Sequence, residues 1–148
     1  MTSSPTGYDL TPLAADRVEA LAADLSPEER HVILHQGTER PGCGVFLDNK
    51  KSGTYVCRLC GLPLFASNAK FESGTGWPSF FSPYDTDHIH EVVDTSHGMR
   101  RVEIRCKRCD AHLGHVFDDG PRPTGLRYCL NSISLSFVDE GQPINLRS

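Results

Sequence analysis

The sequence has little to suggest a membrane protein, a nucleic-acid binder or a secreted disulfide scaffold. No apolar run approaches the roughly 18 residues that a membrane-spanning helix requires, so no membrane partner is expected. Positive charge is not in excess. Fifteen Lys and Arg stand against 19 Asp and Glu, a net charge of −4, which argues against nucleic acid or an anionic lipid surface as the main partner. Residues 1–10 lack the basic start and apolar stretch of a secretory signal, so a cytoplasmic, reducing location is expected. No internal repeat occurs at a solenoid-like period, apart from a twofold Cys-x-x-Cys. What is present is ordinary globular composition, 38% hydrophobic and 23% charged, in 148 residues, the length of one domain.

The chain divides by texture. Residues 1–10 are rich in Ser, Thr, Pro and Gly and read as poorly ordered. Thr11-Pro12 reads as a helix start, and Leu13, Val18, Leu21 and Leu25 make a helical stripe, predicting a helix over about 12–24. Ser26-Pro27-Glu28-Glu29 is a capping-box signal for a second helix that should stop at Gly37. Beyond Gly37 the pattern becomes short apolar stretches between Gly, Pro, Asn and Asp clusters. These predict strands over 53–56, 89–93, 101–105, 115–117 and one long strand over 126–137. The expectation is a small helical N-terminal segment packed on an antiparallel β body.

Six cysteines carry the chemistry. In a reducing compartment they point to metal ligands or catalytic thiols rather than a disulfide framework. Cys57-Arg58-Leu59-Cys60 and Cys106-Lys107-Arg108-Cys109 each let a tight turn aim two sulfurs at one tetrahedral ion. Together they supply four thiolates, a closed structural Zn²⁺ site with no open position for catalysis. The competing readings are a redox Cys-x-x-Cys and plain buried cysteines. Cys43 and Cys129 stand alone.

Three further segments attract attention. Along a strand at 126–137, Arg127, Cys129 and Asn131 share one face, so a guanidinium and a carboxamide flank a thiol. The cation would lower the thiol pKa, and the carboxamide could donate to a substrate oxygen. A structural cysteine beside a surface arginine has the same pattern. His112 and His115 straddle Gly114, which permits a bulge turning both imidazoles to one side. They read either as proton donors near neutral pH or as structural histidines. Trp77 lies in the Gly-rich stretch Ser73-Gly74-Thr75-Gly76-Trp77-Pro78. It is either the wall of an apolar pocket or a loop aromatic covering the core.

Taken together these segments closely resemble the methionine-R-sulfoxide reductases of the B type. The matching stretches are Gly37-Thr38-Glu39-Arg40-Pro41, Gly53-Thr54-Tyr55-Val56-Cys57 through Cys60-Gly61, Gly76-Trp77-Pro78-Ser79-Phe80, His112-Leu113-Gly114-His115-Val116-Phe117 with Asp119-Gly120-Pro121, and Arg127-Tyr128-Cys129 with Asn131-Ser132. The resemblance runs from about Gly37 to Phe137. It implies two antiparallel sheets with a four-cysteine structural zinc site away from the active centre; with the short N-terminal helices read above, the expected fold is mainly β. The expected organisation is a helical segment at 1–36, a catalytic β domain at 37–137 and a polar tail at 138–148.

The resemblance also implies roles. Cys129 would be the nucleophile, attacking the sulfoxide sulfur as thiolate and becoming a sulfenic acid as methionine leaves. His112, His115 and Asn131 would bind and protonate the sulfoxide oxygen, Trp77 would receive the ε-methyl group, and Arg127 would tune Cys129. The substrate would be methionine R-sulfoxide, free or in oxidised proteins and peptides, and the reductant thioredoxin. Many members carry a resolving cysteine two residues before the tryptophan, where this chain has Thr75. Cys43, between Gly42 and Gly44, is then the candidate resolving thiol through a Cys43–Cys129 disulfide. Direct reduction of Cys129 by an outside thiol is the alternative. Rival classes are a non-catalytic zinc-ribbon-like binding module, which leaves Cys129 and the histidines unexplained, and a zinc hydrolase, which needs an open metal position.

Overall fold

The computed structural model of the chain describes residues 3–40, 42, 44–95 and 98–147. Helix α1 (Ala15–Leu21) continues into a 3-10 turn, Ala22–Asp24. It starts later than the sequence predicts because Thr11 does not cap it. The Thr11 amide and hydroxyl both donate to Asp9 Oδ1, at 2.9 and 2.7 Å. Helix α2 (Pro27–His35) has the expected capping box: the Ser26 hydroxyl accepts from the Glu29 amide, and the Glu29 carboxylate accepts from the Ser26 amide. Gln36, not Gly37, takes the left-handed position (φ 59°) that ends this helix. Gly37 is needed for space instead, since a Cβ there would lie 2.4 Å from the His31 ring.

Among the described residues, nine strands form two antiparallel sheets. A three-stranded sheet has the order β2-β1-β9, from β1 (Gly53–Cys57), β2 (Pro63–Ala66) and β9 (Leu135–Asp139). A six-stranded sheet has the order β3-β4-β8-β7-β6-β5. Its strands are β3 (Lys70–Phe71), β4 (Ser79–Phe80), β5 (Ile89–Asp94), β6 (Arg101–Cys106), β7 (His112–Phe117) and β8 (Arg127–Leu130). The fold is therefore mainly β with short N-terminal helices. The sheets share one core. Tyr55, Phe65 and Phe80 are fully buried, with the Phe65 and Phe80 rings stacked 4.7 Å apart. Leu21, Leu25 and Ile33 bring both helices onto the same core.

The single strand expected over 126–137 is in fact two. β8 ends at Leu130, a 3-10 turn occupies Ser132–Ser134, and β9 begins in the other sheet. The interruption follows from buried polar side chains that capture main-chain groups. Asn131 Oδ1 accepts from the Glu39 amide, the Ser132 hydroxyl accepts from the Phe46 amide, and the Ser134 hydroxyl donates to His112 O. Ile133, Leu135 and Phe137 therefore do not continue the Cys129 face. Leu135 and Phe137 lie on β9, beside β1.

Candidate active site and metal centre

The four paired cysteines converge. Cys57, Cys60, Cys106 and Cys109 are all buried, their sulfurs lie within 4.8 Å of one another, and the pairs Cys57–Cys109 and Cys60–Cys106 are each 3.5 Å apart. Four thiolates about 2.3 Å from a tetrahedral Zn²⁺ would lie just under 4 Å from one another, so the donor set fits such an ion. The two knuckles share one local geometry. Each first cysteine's carbonyl accepts from the residue four on, Gly61 (φ 82°) in one and Asp110 (φ 62°) in the other. Each first cysteine's amide donates to the carbonyl one residue further, Leu62 or Ala111. Hydrogen bonds from Cys106, Cys109 and Cys57 pull the Cys60 thiol far down, while burial pushes Cys106 up. A divalent cation is the partner that lets all four ionise together. The 144–147 segment packs against this centre: the Arg147 amide donates to Cys60 O, and the buried Arg108 donates to Arg147 O.

The second constellation is built on the other face of the six-stranded sheet. Cys129 on β8 sits opposite His115 on β7 and opposite Ser79 on β4. A register shift in the β6–β7 pair lets Gly114 face Ile104 while His112 faces Arg105. This bulge brings two histidines three residues apart onto one side, their ring centroids 5.6 Å apart. Gly114 is obligatory there, since a Cβ would lie 1.9 Å from Cys129 O.

Around the thiol, burial acts first and pushes Cys129 above its ordinary pKa. Arg127 and a hydrogen bond from Thr75 pull it down, and the Glu39 charge pushes it up again. Arg127 therefore pulls in the expected direction, but desolvation outweighs the cation and the net shift of the thiol is upward. The guanidinium is also shared: Arg127 donates twice to Asp119, at 2.8 and 3.1 Å, and lies 4.4 Å over the Phe117 ring. Thr75, which replaces a cysteine in the resembling pattern, joins the hydroxyl chain Thr75–Ser73–Ser79.

His112 is buried and its Nδ1 lies 2.6 Å from Glu103; its Nε2 is buried with no hydrogen-bond partner among the described residues. Burial holds the His112 pKa below its ordinary value, against the pull of Glu103. His115 Nε2 lies 2.9 Å from Asp94. Asn131 is buried, with its carboxamide bonded to the Glu39 amide and Leu113 O rather than projecting outward. The Trp77 indole donates to Glu39 O at 3.0 Å, and a cavity of about 230 Å³ lies against it, bounded in part by Phe71, Gly76 and Pro78. Cys43 lies outside the described residues. A groove of about 840 Å³ lies between α2 and β9 and contains none of the candidate residues.

Sequence reasoning missed Glu39, Glu103, Asp94 and Asp119. Asp119 stood in one of the matching stretches, and its pairing with Arg127 across a turn could have been suggested by charge. Glu103 and Asp94 carry no local signal, because only strand pairing brings them to the histidines.

The SelR domain profile matches residues 25–139. The peptide methionine sulfoxide reductase MsrB of Caulobacter vibrioides (strain NA1000 / CB15N) is 59% identical over 143 residues, covering 97% of this chain and 90% of the relative. The protein of the same name from Xylella fastidiosa (strain M23) is 62% identical over 134 residues, covering 90% of this chain and 86% of its own. A profile matched over most of the chain, with relatives of this identity along nearly their whole length, establishes that the chain belongs to the SelR domain family, among the MsrB methionine sulfoxide reductases.

Proposed function

We propose that this protein is a thiol-dependent oxidoreductase that reduces methionine R-sulfoxide, free or within oxidised proteins, to methionine. The observation that carries the reading is Cys129 on β8 directly opposite His115 on β7, whose ring centroid lies 5.6 Å from that of His112, with Arg127 and Thr75 acting on the thiol. Cys129 is the nucleophile. It donates an electron pair to the sulfoxide sulfur, which is reduced to a thioether, while Cys129 is oxidised to a sulfenic acid. A sulfoxide oxygen is a poor leaving group until protonated, and His112 and His115 supply that function. Asn131 supports the oxygen site through the corner it holds, Trp77 receives the methyl group, and Arg127 orients and tunes Cys129. The sulfenic acid is resolved by Cys43, giving a Cys43–Cys129 disulfide that thioredoxin opens.

The four knuckle cysteines hold one Zn²⁺, which organises the fold and leaves no position for substrate. We assign the chemistry to residues 37–137, with 1–36 as a helical segment and 138–148 as a tail whose first two residues, Val138 and Asp139, complete β9, and the protein to the cytoplasm. No helix of the described residues is long and apolar enough to cross a membrane.

The test is turnover of separated R and S methionine sulfoxides with dithiothreitol. The wild-type protein should reduce the R form, and Cys129→Ser should lose activity while keeping its metal and fold, because a hydroxyl is a far weaker nucleophile. Activity retained by Cys129→Ser would refute the assignment.

A further inference from the structure

The face that carries Cys129 also carries two imidazole–carboxylate pairs, one buried and one partly exposed, each backed by an arginine. One runs Arg105–Glu103–His112, with Arg105 Nε 3.0 Å and His112 Nδ1 2.6 Å from Glu103 Oε2. The other runs Arg101–Asp94–His115, at 3.3 and 2.9 Å. The pairs engage opposite ring nitrogens. His112 uses Nδ1, and His115 uses Nε2. The environments differ as well: the side chains of His112 and Glu103 are 3% and 6% exposed, whereas those of His115 and Asp94 are 13% and 19% exposed. Of the two pairs, only the inner one leaves a buried ring nitrogen with no partner among the described residues, His112 Nε2.

A carboxylate is acceptor-only when ionised, so a 2.6 Å contact places the imidazole proton on Nδ1 and leaves Nε2 with its lone pair. An unpartnered, buried acceptor costs free energy unless a ligand or reaction uses it. We propose that Glu103 is a positioning residue for the sulfoxide reduction assigned above: it fixes His112 as the Nδ1–H tautomer, so that Nε2 carries the proton from Cys129 to the substrate oxygen.

The step balances without another reagent. His112 Nε2 takes the Cys129 thiol proton, giving thiolate and imidazolium, with Glu103 stabilising the cation. The thiolate supplies two electrons to the sulfoxide sulfur, the imidazolium returns the proton to the oxygen, and that oxygen ends on Cys129 as sulfenic acid. The thioether leaves and His112 is neutral again. Arg105 pairs with Glu103 from the same strand and with Asp110 at the end of the second knuckle, so the carboxylate remains ionised and held in place. Its pKa lies below the ordinary carboxylate value, burial being opposed and outweighed by the bonds from Arg105 and His112.

This inference rests on the proposed function, and two measurements separate their failures. The first is nitrogen and proton NMR of ¹⁵N-histidine-labelled, metal-loaded wild-type protein. A strongly downfield proton coupled to His112 Nδ1 is expected, and an Nε2–H tautomer would overturn the proposal whatever the enzyme does. The second is kinetics of Glu103→Gln and Glu103→Asp, with metal content and tryptophan emission as checks on the fold. Because general acid–base steps contribute about 10²–10⁴-fold, misplacing the proton should lower kcat for Glu103→Gln by at least about tenfold. KM should change little, the downfield proton should vanish, and Glu103→Asp should recover part of the rate. Unchanged kcat in Glu103→Gln, or a loss appearing only in KM, would overturn the proposal. If the wild-type protein reduces no methionine sulfoxide, the functional reading falls and the NMR result still decides the Glu103–His112 pairing.

Discussion

Replacing Gly114 by alanine tests how tightly the site geometry depends on one strand contact. Gly114 sits between the two histidines and pairs with Leu130, one residue beyond Cys129. A Cβ at this position would lie 1.9 Å from Cys129 O, 3.0 Å from Cys129 C and 3.1 Å from Leu130 Cα, all main-chain atoms. The shortest contact is about 1.5 Å short of ordinary van der Waals distance, and no side-chain rotation can relieve it. β7 and β8 must separate by a sizeable part of the roughly 4.8 Å between neighbouring strands. Overpacking of a fitted interior costs about 1–3 kcal/mol, and each ladder hydrogen bond weakened adds about 1 kcal/mol. The expected loss is about 2–4 kcal/mol, which at this chain length lowers Tm by roughly 4–16 °C. Catalysis should suffer more than stability, because a misplacement of about 1 Å can cost on the order of 10²-fold in rate. The assay pairs denaturant melts with R-sulfoxide turnover at a temperature where the variant remains folded. Wild-type stability and wild-type turnover in Gly114→Ala would show that β7 and β8 do not approach as described, and the Cys129–His115 pairing would fall with them.

Cys43→Ser should release about one methionine per chain and keep cycling with dithiothreitol but lose most thioredoxin-supported turnover; peptide mapping that finds Cys43 free after wild-type turnover would exclude the disulfide. Elemental analysis should find one zinc per chain, and Cys57→Ser should lose metal and much of the stability, since structural zinc is worth on the order of 10 kcal/mol in small zinc peptides; a metal-free chain of unchanged stability would refute that assignment. Because burial raises the Cys129 pKa, iodoacetamide should alkylate this thiol slowly at pH 7, and the rate should still climb above about pH 9.5, a unit past the ordinary thiol pKa, where an unperturbed thiol has levelled off. The stability associated with that raised pKa is present below the ordinary thiol value and is lost as pH rises past it, so Cys129→Ala should flatten the alkaline limb of the stability profile. A plateau in alkylation below about pH 8 would contradict the dominance of burial.

The features whose physics is local were legible in the amino-acid sequence. The capping box at Ser26 and Glu29 is a contact between neighbours in the chain, and it forms as read. The two Cys-x-x-Cys turns declare paired ligands, because two sulfurs at that spacing suit one ion. His112-Leu113-Gly114-His115 announced its bulge, since glycine between the histidines allows the close approach that turns them to one side. Alternation placed Arg127 and Cys129 on the face opposite buried Tyr128 and Leu130. Features that depend on partners distant in sequence emerged only in the folded chain. Asn131 looked like a residue in the middle of a strand, yet bonds to Glu39 and Leu113 turn the chain into the other sheet there. Arg127 next to Cys129 suggested an activated thiol, but the thiol's burial outweighs the guanidinium and the net shift is upward. Glu103 and Asp94 reach their histidines only through the pairing of β5, β6 and β7. Desolvation and cross-strand pairing are properties of the assembled sheets, and a local sequence pattern cannot encode them.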